Sequence, residues 1–169
     1  MNKAVIVAAP SGAGKGSIIA GLRKKLGFLE LSISATTREP RKDEVNGREY
    51  FFLSETEFRE KIKNGEFLEY EEVYPGLLYG TLWREIIKIW DSGNTPIFDV
   101  EIKGGLRIKD KLKNCALAIF INPGEPALRV LENRLIKNSE GGLDQAITDT
   151  MDVVSSFLNT PGNQSWWKS

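Results

Sequence analysis

Along the chain, apolar residues switch between unbroken short runs, strict alternation and helical spacing, and each regime predicts a different element. Residues 3–8, KAVIVA, are an unbroken apolar run of strand length, suited to a strand covered on both faces. SIIAGLRKKLG then sets Ile18, Leu22 and Leu26 one turn apart before Gly27, which predicts a helix. In LELSISATTR, Leu29, Leu31 and Ile33 alternate until the chemistry changes at Thr36, Thr37 and Arg38, so a second strand is expected there. Residues 39–48 are charged and turn-forming. EYFFLS reads as a strand, and Ser54 with Glu57 makes a capping box for a helix that carries Phe58 and Ile62 and stops at Gly65.

EFLEYEEVYPGLLYGT alternates aromatic or aliphatic residues with glutamates around Pro75 and Gly76, the pattern of antiparallel strands with one wet face. Thr81 is placed to cap a helix with Leu82, Ile86, Ile89 and Trp90 on one face, ending at Gly93. PIFDVEI and ALAIFI are buried strands, with GGLRIKDKL helical between them. EPALRVLENRL has Pro126 in its first turn and Leu128, Leu131 and Leu135 on one side, and reads as a helix. LDQAITDTMDVVSSFL, with Leu143, Ile147, Met151, Val154 and Leu158 at helical spacing, predicts the last one. Strands alternate with helices at both ends of the chain, which makes it an α/β protein with a parallel-sheet core. The hairpin character of residues 35–81 adds a small mixed insertion.

At 169 residues and 41% hydrophobic content, one compact domain with a proper core is expected. Basic and acidic residues balance at 23 each, so no net field draws nucleic acid or an anionic membrane, and small molecules are the expected partners. The amino-terminal apolar run passes directly into Gly, Lys and Ser, and no stretch approaches the ~20 apolar residues of a membrane span. The single Cys115, inside CALAIFI, reads as a core residue and fits a reducing cytoplasm. The absence of histidine excludes any imidazole mechanism.

Between the first strand and first helix stands Ala9-Pro10-Ser11-Gly12-Ala13-Gly14-Lys15, the spacing of a phosphate loop with alanine at the first glycine position. Gly12 and Gly14 allow backbone N–H groups to turn inward, Lys15 brings a positive charge, and the helix start points its positive end at the ligand. A nucleoside triphosphate is the expected occupant. In the standard motif a hydroxyl after the lysine binds Mg²⁺, but here the residue is Gly16. Ser17 follows, about 100° further round a helix. GAGKGS is similar to the loops of adenylate kinases, which carry Gly-Lys-Gly-Thr, and that resemblance implies magnesium held mainly through waters and phosphates, with Ser17 the candidate protein ligand.

A second anion site is suggested by SATTREPR, where Arg38 and Arg41 stand three apart beside the hydroxyls of Ser34, Thr36 and Thr37. Guanidinium forks and hydroxyls suit a phosphate monoester. Taken in order, APSGAGK, SATTREPR, NGREYFFLS, GEFLEYEEV, YGT and FDVEIKGGL resemble the guanylate kinase family, from about residue 3 to about 136. The resemblance implies a P-loop nucleoside monophosphate kinase fold, with a core of 1–34 and 82–169, a GMP-binding insertion at 35–81 and a lid near 136–146. It also implies that Ser34, Arg38, Arg41, Tyr50 and Tyr79 hold the phosphate of GMP, that Glu69 reads the base and that Thr81 donates to guanine O6. Asp99 and Glu101, at the end of an apolar strand, would meet magnesium, an arginine or bound water.

Departures from the family lie late in the chain. The family carries three lid arginines. Arg134 matches the first, Asn138 and Thr150 stand near the other two, and no arginine follows Arg134. The family's closing apolar strand and its Asn-Asp pair have no counterpart, which would leave a sheet edge open, and the tail 159–169 is atypical, with Trp166 and Trp167 near its end. Two readings follow. One is an ATP-dependent guanylate kinase using Lys15, Arg38, Arg134, Asp99 and Mg²⁺, weakened by its missing arginines. The other is a binding module that holds GMP or a phosphorylated partner with little turnover. Oligomeric state, monomer or dimer, stays open.

Overall fold

The computed structural model describes residues 2–9, 14–122, 127–130, 134–137 and 142–160. In chain order the elements are β1 (Ala4–Ala8), α1 (Lys15–Lys25), β2 (Leu29–Leu31), β3 (Ala35–Thr36), β4 (Phe51–Phe52), α2 (Glu55–Lys63), β5 (Phe67–Tyr74) and β6 (Leu77–Leu82). Next come α3 (Trp83–Asp91), β7 (Thr95–Val100), α4 (Ile102–Leu112), a short 3-10 turn at Lys113–Cys115, β8 (Ala116–Asn122), β9 (Ala127–Val130), β10 (Arg134–Lys137) and α5 (Gly142–Asn159). They group into two units, one of Met1–Leu31 with Gly93–Ser169 and the other of Ser32–Ser92.

The first unit is built on a sheet in the order β10-β9-β8-β1-β7-β2. Strands β8, β1, β7 and β2 are mutually parallel, with Val5 opposite Ile97 and Leu117. Every residue of β1 is buried, as the unbroken apolar run requires of a central strand covered on both faces. On one face Val5, Val7, Ile97 and Ile119 pack with Ile18, Ile19 and Leu22 of α1 and Val154 of α5. On the other, α4 lies against β1, bringing Gly105 close to Ile6 and Ala8. Lys3, at the foot of β1, donates to the carbonyls of Phe157, Leu158 and Thr160 and so satisfies acceptors left over at the end of α5.

The second unit carries a sheet in the order β4-β3-β6-β5. Its apolar face, with Ala35, Phe67, Leu78 and Leu82, packs on Phe58 of α2, and Phe51, Leu53 and Ile62 extend that cluster. The capping box at Ser54 and Glu57 forms as the spacing predicts.

Three expectations are corrected. The stretch read as a helix at 125–135 forms β9 and β10 where it is described. The outer edge of β8 offers a row of backbone N–H and C=O groups, and pairing Ile119 with Val130 and Ile121 with Leu128 satisfies them. Among the described residues this hairpin adds two strands beyond β8, so the outer edge on that side lies at β10. Thr81 does not cap α3: Leu82 is the N-cap residue and Thr81 belongs to β6, where its hydroxyl has another partner. Cys115 is half-buried in the 3-10 turn rather than in the core, because the apolar run becomes a strand only one residue later.

Candidate functional site

In the first unit the candidate residues gather at the carboxyl edge of the parallel sheet. Gly14 is the N-cap of α1 with φ 77°, a left-handed conformation that glycine adopts without steric cost, and no side chain caps the helix. The amide-rich end of α1 is thereby left for a ligand. From the first turn of α1, the Lys15 ammonium donates to the carbonyl of Val100 at 2.9 Å and pairs with the Asp99 carboxylate at 3.1 Å. Both acceptors lie at the end of β7, whose Val100 is opposite Ala8 of β1. Ala9 is buried just beyond β1, Gly16 and Ser17 are exposed on the first turn of α1, and Glu101 is the exposed residue before α4. Pro10, Ser11, Gly12 and Ala13 lie outside the described residues.

The donor set beside this loop is hard oxygen: the Asp99 carboxylate, paired with Lys15, and the Ser17 hydroxyl on the exposed turn. Among the described residues there is no cluster of three or more acidic, cysteine or histidine side chains. One carboxylate, one hydroxyl and substrate phosphates match how Mg²⁺ is usually bound, with several waters retained. The residues therefore fit that ion when a nucleotide brings the remaining ligands.

In the second unit the strand register sorts side chains onto two faces. Glu69 is opposite Thr81 and Glu71 opposite Tyr79, while Thr36 is opposite both Tyr79 and Phe52. Glu69, Thr81, Tyr79, Thr36 and Phe52 thus share the face away from the apolar cluster. Glu69 and Thr81 are 6% and 1% exposed, and the Thr81 hydroxyl donates to Glu69 Oε1 at 2.8 Å. That donor offsets part of the cost of burying the Glu69 side chain.

Two residues earlier in β6, at Tyr79, lies the cationic end of the same face. Arg38 forks onto Glu44, Nη1 to Oε2 and Nη2 to Oε1, both at 2.9 Å. Its guanidinium stands 5.4 Å from the Tyr50 ring centre and 5.7 Å from that of Phe52, with Tyr79 a further partner. Tyr50 and Tyr79 meet edge to face at 6.0 Å. The Glu44 carboxylate also accepts from the Arg41 backbone N–H at 2.7 Å. The Arg38 fork and then the Arg41 amide hold its pKa at about 2, below the ordinary 4.5. Ser34 is half-buried just before β3, and its carbonyl accepts from the amide of Phe51.

This face, with a buried carboxylate at one end and stacked arginine and tyrosines at the other, accompanies a phosphate loop in the first unit, and the whole chain has known relatives. The guanylate kinase family model matches residues 1–160. The chain belongs to the guanylate kinase family. It is 46% identical over 156 residues to the guanylate kinase of Bacteroides fragilis, spanning 92% of this chain and 72% of that protein. Against the guanylate kinase of Porphyromonas gingivalis it is 45% identical over 160 residues, 94% of this chain and 80% of the relative. The guanylate kinase of Bacteroides thetaiotaomicron matches at 38% over 185 aligned positions, 94% of this chain and 91% of the relative. Since 185 positions exceed the 169 residues of this chain, that relative contains stretches with no counterpart here. The crystal structure of guanylate kinase from Anaplasma phagocytophilum superposes with a TM-score of 0.55 at 26% identity, over 70% of this chain and 58% of that one.

Within this guanylate kinase family member, Glu44 is the site residue that sequence reasoning missed. Its signal was an acid three residues after Arg41 and six after Arg38 in a loop read only as charged and turn-forming. Arg134 opens β10, paired with Val130 in the hairpin of the first unit. Asn138 and the two tail tryptophans lie outside the described residues, as does part of the expected lid. Thr150, which stands near a family arginine position, is fully buried in α5.

Proposed function

We infer that this chain transfers the γ-phosphoryl group of ATP to GMP, giving ADP and GDP, with ATP at the loop before α1 in the first unit and GMP on the Glu69–Arg38 face of the second. The observation that carries the reading is the buried Glu69–Thr81 pair on one sheet face with the Arg38, Tyr50 and Tyr79 cluster. Guanine presents N1–H and an exocyclic amine side by side, and a carboxylate accepts both. Adenine turns a lone pair at N1 toward the same carboxylate, a mismatch that costs on the order of 1–3 kcal/mol or more when buried. Thr81 has a single hydroxyl proton, given to Glu69 in the free protein. On binding, the Thr81 hydroxyl turns to donate to guanine O6 while the base supplies Glu69 with two donors in return.

At the other end Arg38, Arg41, Ser34, Tyr50 and Tyr79 hold the GMP phosphate, with Glu44 aiming the Arg38 fork. In the first unit the loop from Ala9 to Ser17 cradles ATP, and Lys15 leaves Val100 and Asp99 for the phosphates. Asp99, with Glu101 beside it, and Ser17 are the protein groups that would hold Mg²⁺. That ion, when bound, neutralises phosphate charge. Phosphoryl transfer needs little covalent help from protein, so positioning and positive charge supply the catalysis. Arg134 is the arginine of the chain's carboxyl-terminal third assigned to the transferred group. The retained Lys15 and relatives all named guanylate kinase favour turnover over a purely binding role. Among the described residues no helix is long and apolar enough to cross a membrane, and the cytoplasm, where these nucleotides are metabolised, is the proposed location.

The test is ADP formation with GMP, AMP and UMP as acceptors, alongside Lys15→Met. GMP alone should be phosphorylated, and Lys15→Met should abolish turnover. Equal rates with all three acceptors, or none with GMP, would overturn the assignment.

A further inference from the structure

In a regular strand, residues two apart share a face, so Phe67 and Glu69 should point the same way. They do not. Phe67 is opposite Leu82, on the apolar face, whereas Glu69 is opposite Thr81, one residue earlier in β6 and on the other face. Two steps along β5 therefore match one step along β6, a β-bulge with Leu68 as the extra residue. Phe67, Leu68 and Glu69 are all buried in succession, unlike the mostly exposed stretch of β5 that follows. The bulge leaves the Phe67 ring stacked on Phe58 at 4.3 Å and turns the Glu69 carboxylate to the Thr81 hydroxyl.

Gly80 is what the bulge closes over. A Cβ built there would lie 2.7 Å from the Glu69 carbonyl oxygen and 2.9 Å from Cδ1 of the Phe67 ring. Both neighbours are fixed, the first by the strand backbone and the second by its stack on Phe58. Gly80 has no positive φ to account for it, so close approach is the reason for the missing side chain.

We propose that Gly80 and the Leu68 bulge form a positioning device for the base-reading carboxylate, and that Gly80 is a specificity-determining residue for guanine. The inference rests on the reading of Glu69 as the group that accepts from N1–H and the exocyclic amine. A side chain at Gly80 displaces β5 at Glu69 and moves the carboxylate off the amine. The consequence falls on discrimination between GMP and inosine monophosphate, which keeps N1–H and O6 but lacks that amine.

The experiment compares kcat/KM for GMP and for inosine monophosphate in the unaltered chain, Glu69→Gln and Gly80→Ala, with KM for ATP measured in each. A hydrogen bond to a charged group corresponds to about tenfold or more in the ratio, so Glu69→Gln and Gly80→Ala should each erode the preference for GMP by that order. KM for ATP should stay put in both, a pattern that general loosening of the fold would not give. If Glu69→Gln keeps the preference, the base-reader assignment itself fails. If Glu69→Gln loses it and a folded Gly80→Ala retains it, the positioning role of Gly80 fails alone. Should Gly80→Ala not fold, Gly80→Ala with Phe67→Leu removes the ring clash and leaves the one with the Glu69 carbonyl. The double variant should then lose the preference while Phe67→Leu alone keeps it, and a double variant with the original ratio refutes the proposal.

Discussion

Replacing Thr81 with valine removes one atom's chemistry from the proposed base-reading end and almost nothing of its shape. The Thr81 hydroxyl donates to Glu69 at 2.8 Å in a setting where the two residues are 1% and 6% exposed, so water cannot readily replace it. A hydrogen bond to a charged group contributes about 1.5–3 kcal/mol. Valine keeps the volume and favours a strand slightly, which offsets a few tenths of that. For a chain of this length each kcal/mol moves the melting temperature by about 2–4 °C, so Thr81→Val should melt roughly 3–10 °C lower. It should also raise KM for GMP by about tenfold, since guanine O6 loses the hydroxyl donor proposed for it, while KM for ATP stays unchanged. Thr81→Ser, which restores the oxygen, should recover most of both effects. Differential scanning fluorimetry and an ADP-coupled assay read the two quantities. A Thr81→Val protein that melts within about 1 °C of the unaltered chain, with the same KM for GMP, would refute the reasoning.

Gly16 has a negative φ, and a Cβ built on it meets nothing within 4 Å, so Gly16→Ser should fold normally and melt slightly higher, by a few tenths of a kcal/mol. By supplying the hydroxyl next to Lys15 it should lower the Mg²⁺ concentration needed for half-maximal ADP formation, and an unchanged magnesium titration would count against a metal role for that position. Thr150→Arg should not rebuild a lid arginine: the site is fully buried, and an unpaired buried charge costs about 3–5 kcal/mol, so melting should fall by roughly 6–20 °C with no gain in kcat. A stable, faster Thr150→Arg enzyme would show that the α5 face has been misassigned. Glu44 is held at about 2 against an ordinary 4.5, so its contribution is complete above pH 4.5 and is lost as pH falls toward 2. Glu44→Gln should flatten the acid dependence of melting in that window, and an identical acid profile would mean the Arg38 fork adds nothing to folding.

Much of this fold could be read from local pattern because its causes are local. A strand buried on both faces must be an unbroken apolar run, and β1 is one. A capping box needs only Ser54 and Glu57 at the right spacing, and a loop that must wrap phosphate needs its glycines and Lys15 whatever surrounds it. Chemistry carried by residue type was legible in the same way, since Arg38, Tyr50, Tyr79, Glu69 and Thr81 do gather on one face.

What escaped the sequence depends on how one element pairs with or packs on another. Residues 125–135 carry leucines at helical spacing, yet β9 forms because the edge of β8 offers backbone groups that must be paired. Thr150 looks like any polar residue of an amphipathic helix until tertiary packing buries it. The clearest case is Glu69. Its type and spacing announce a carboxylate, but strict alternation would send it with Phe67 into the apolar cluster. Only the pairing of β5 with β6 inserts the bulge at Leu68, and only the bare backbone at Gly80 makes room for it. The residue types set the chemistry available, and the strand register decided which side of the sheet that chemistry faces, because a one-residue slip reverses every side chain beyond it.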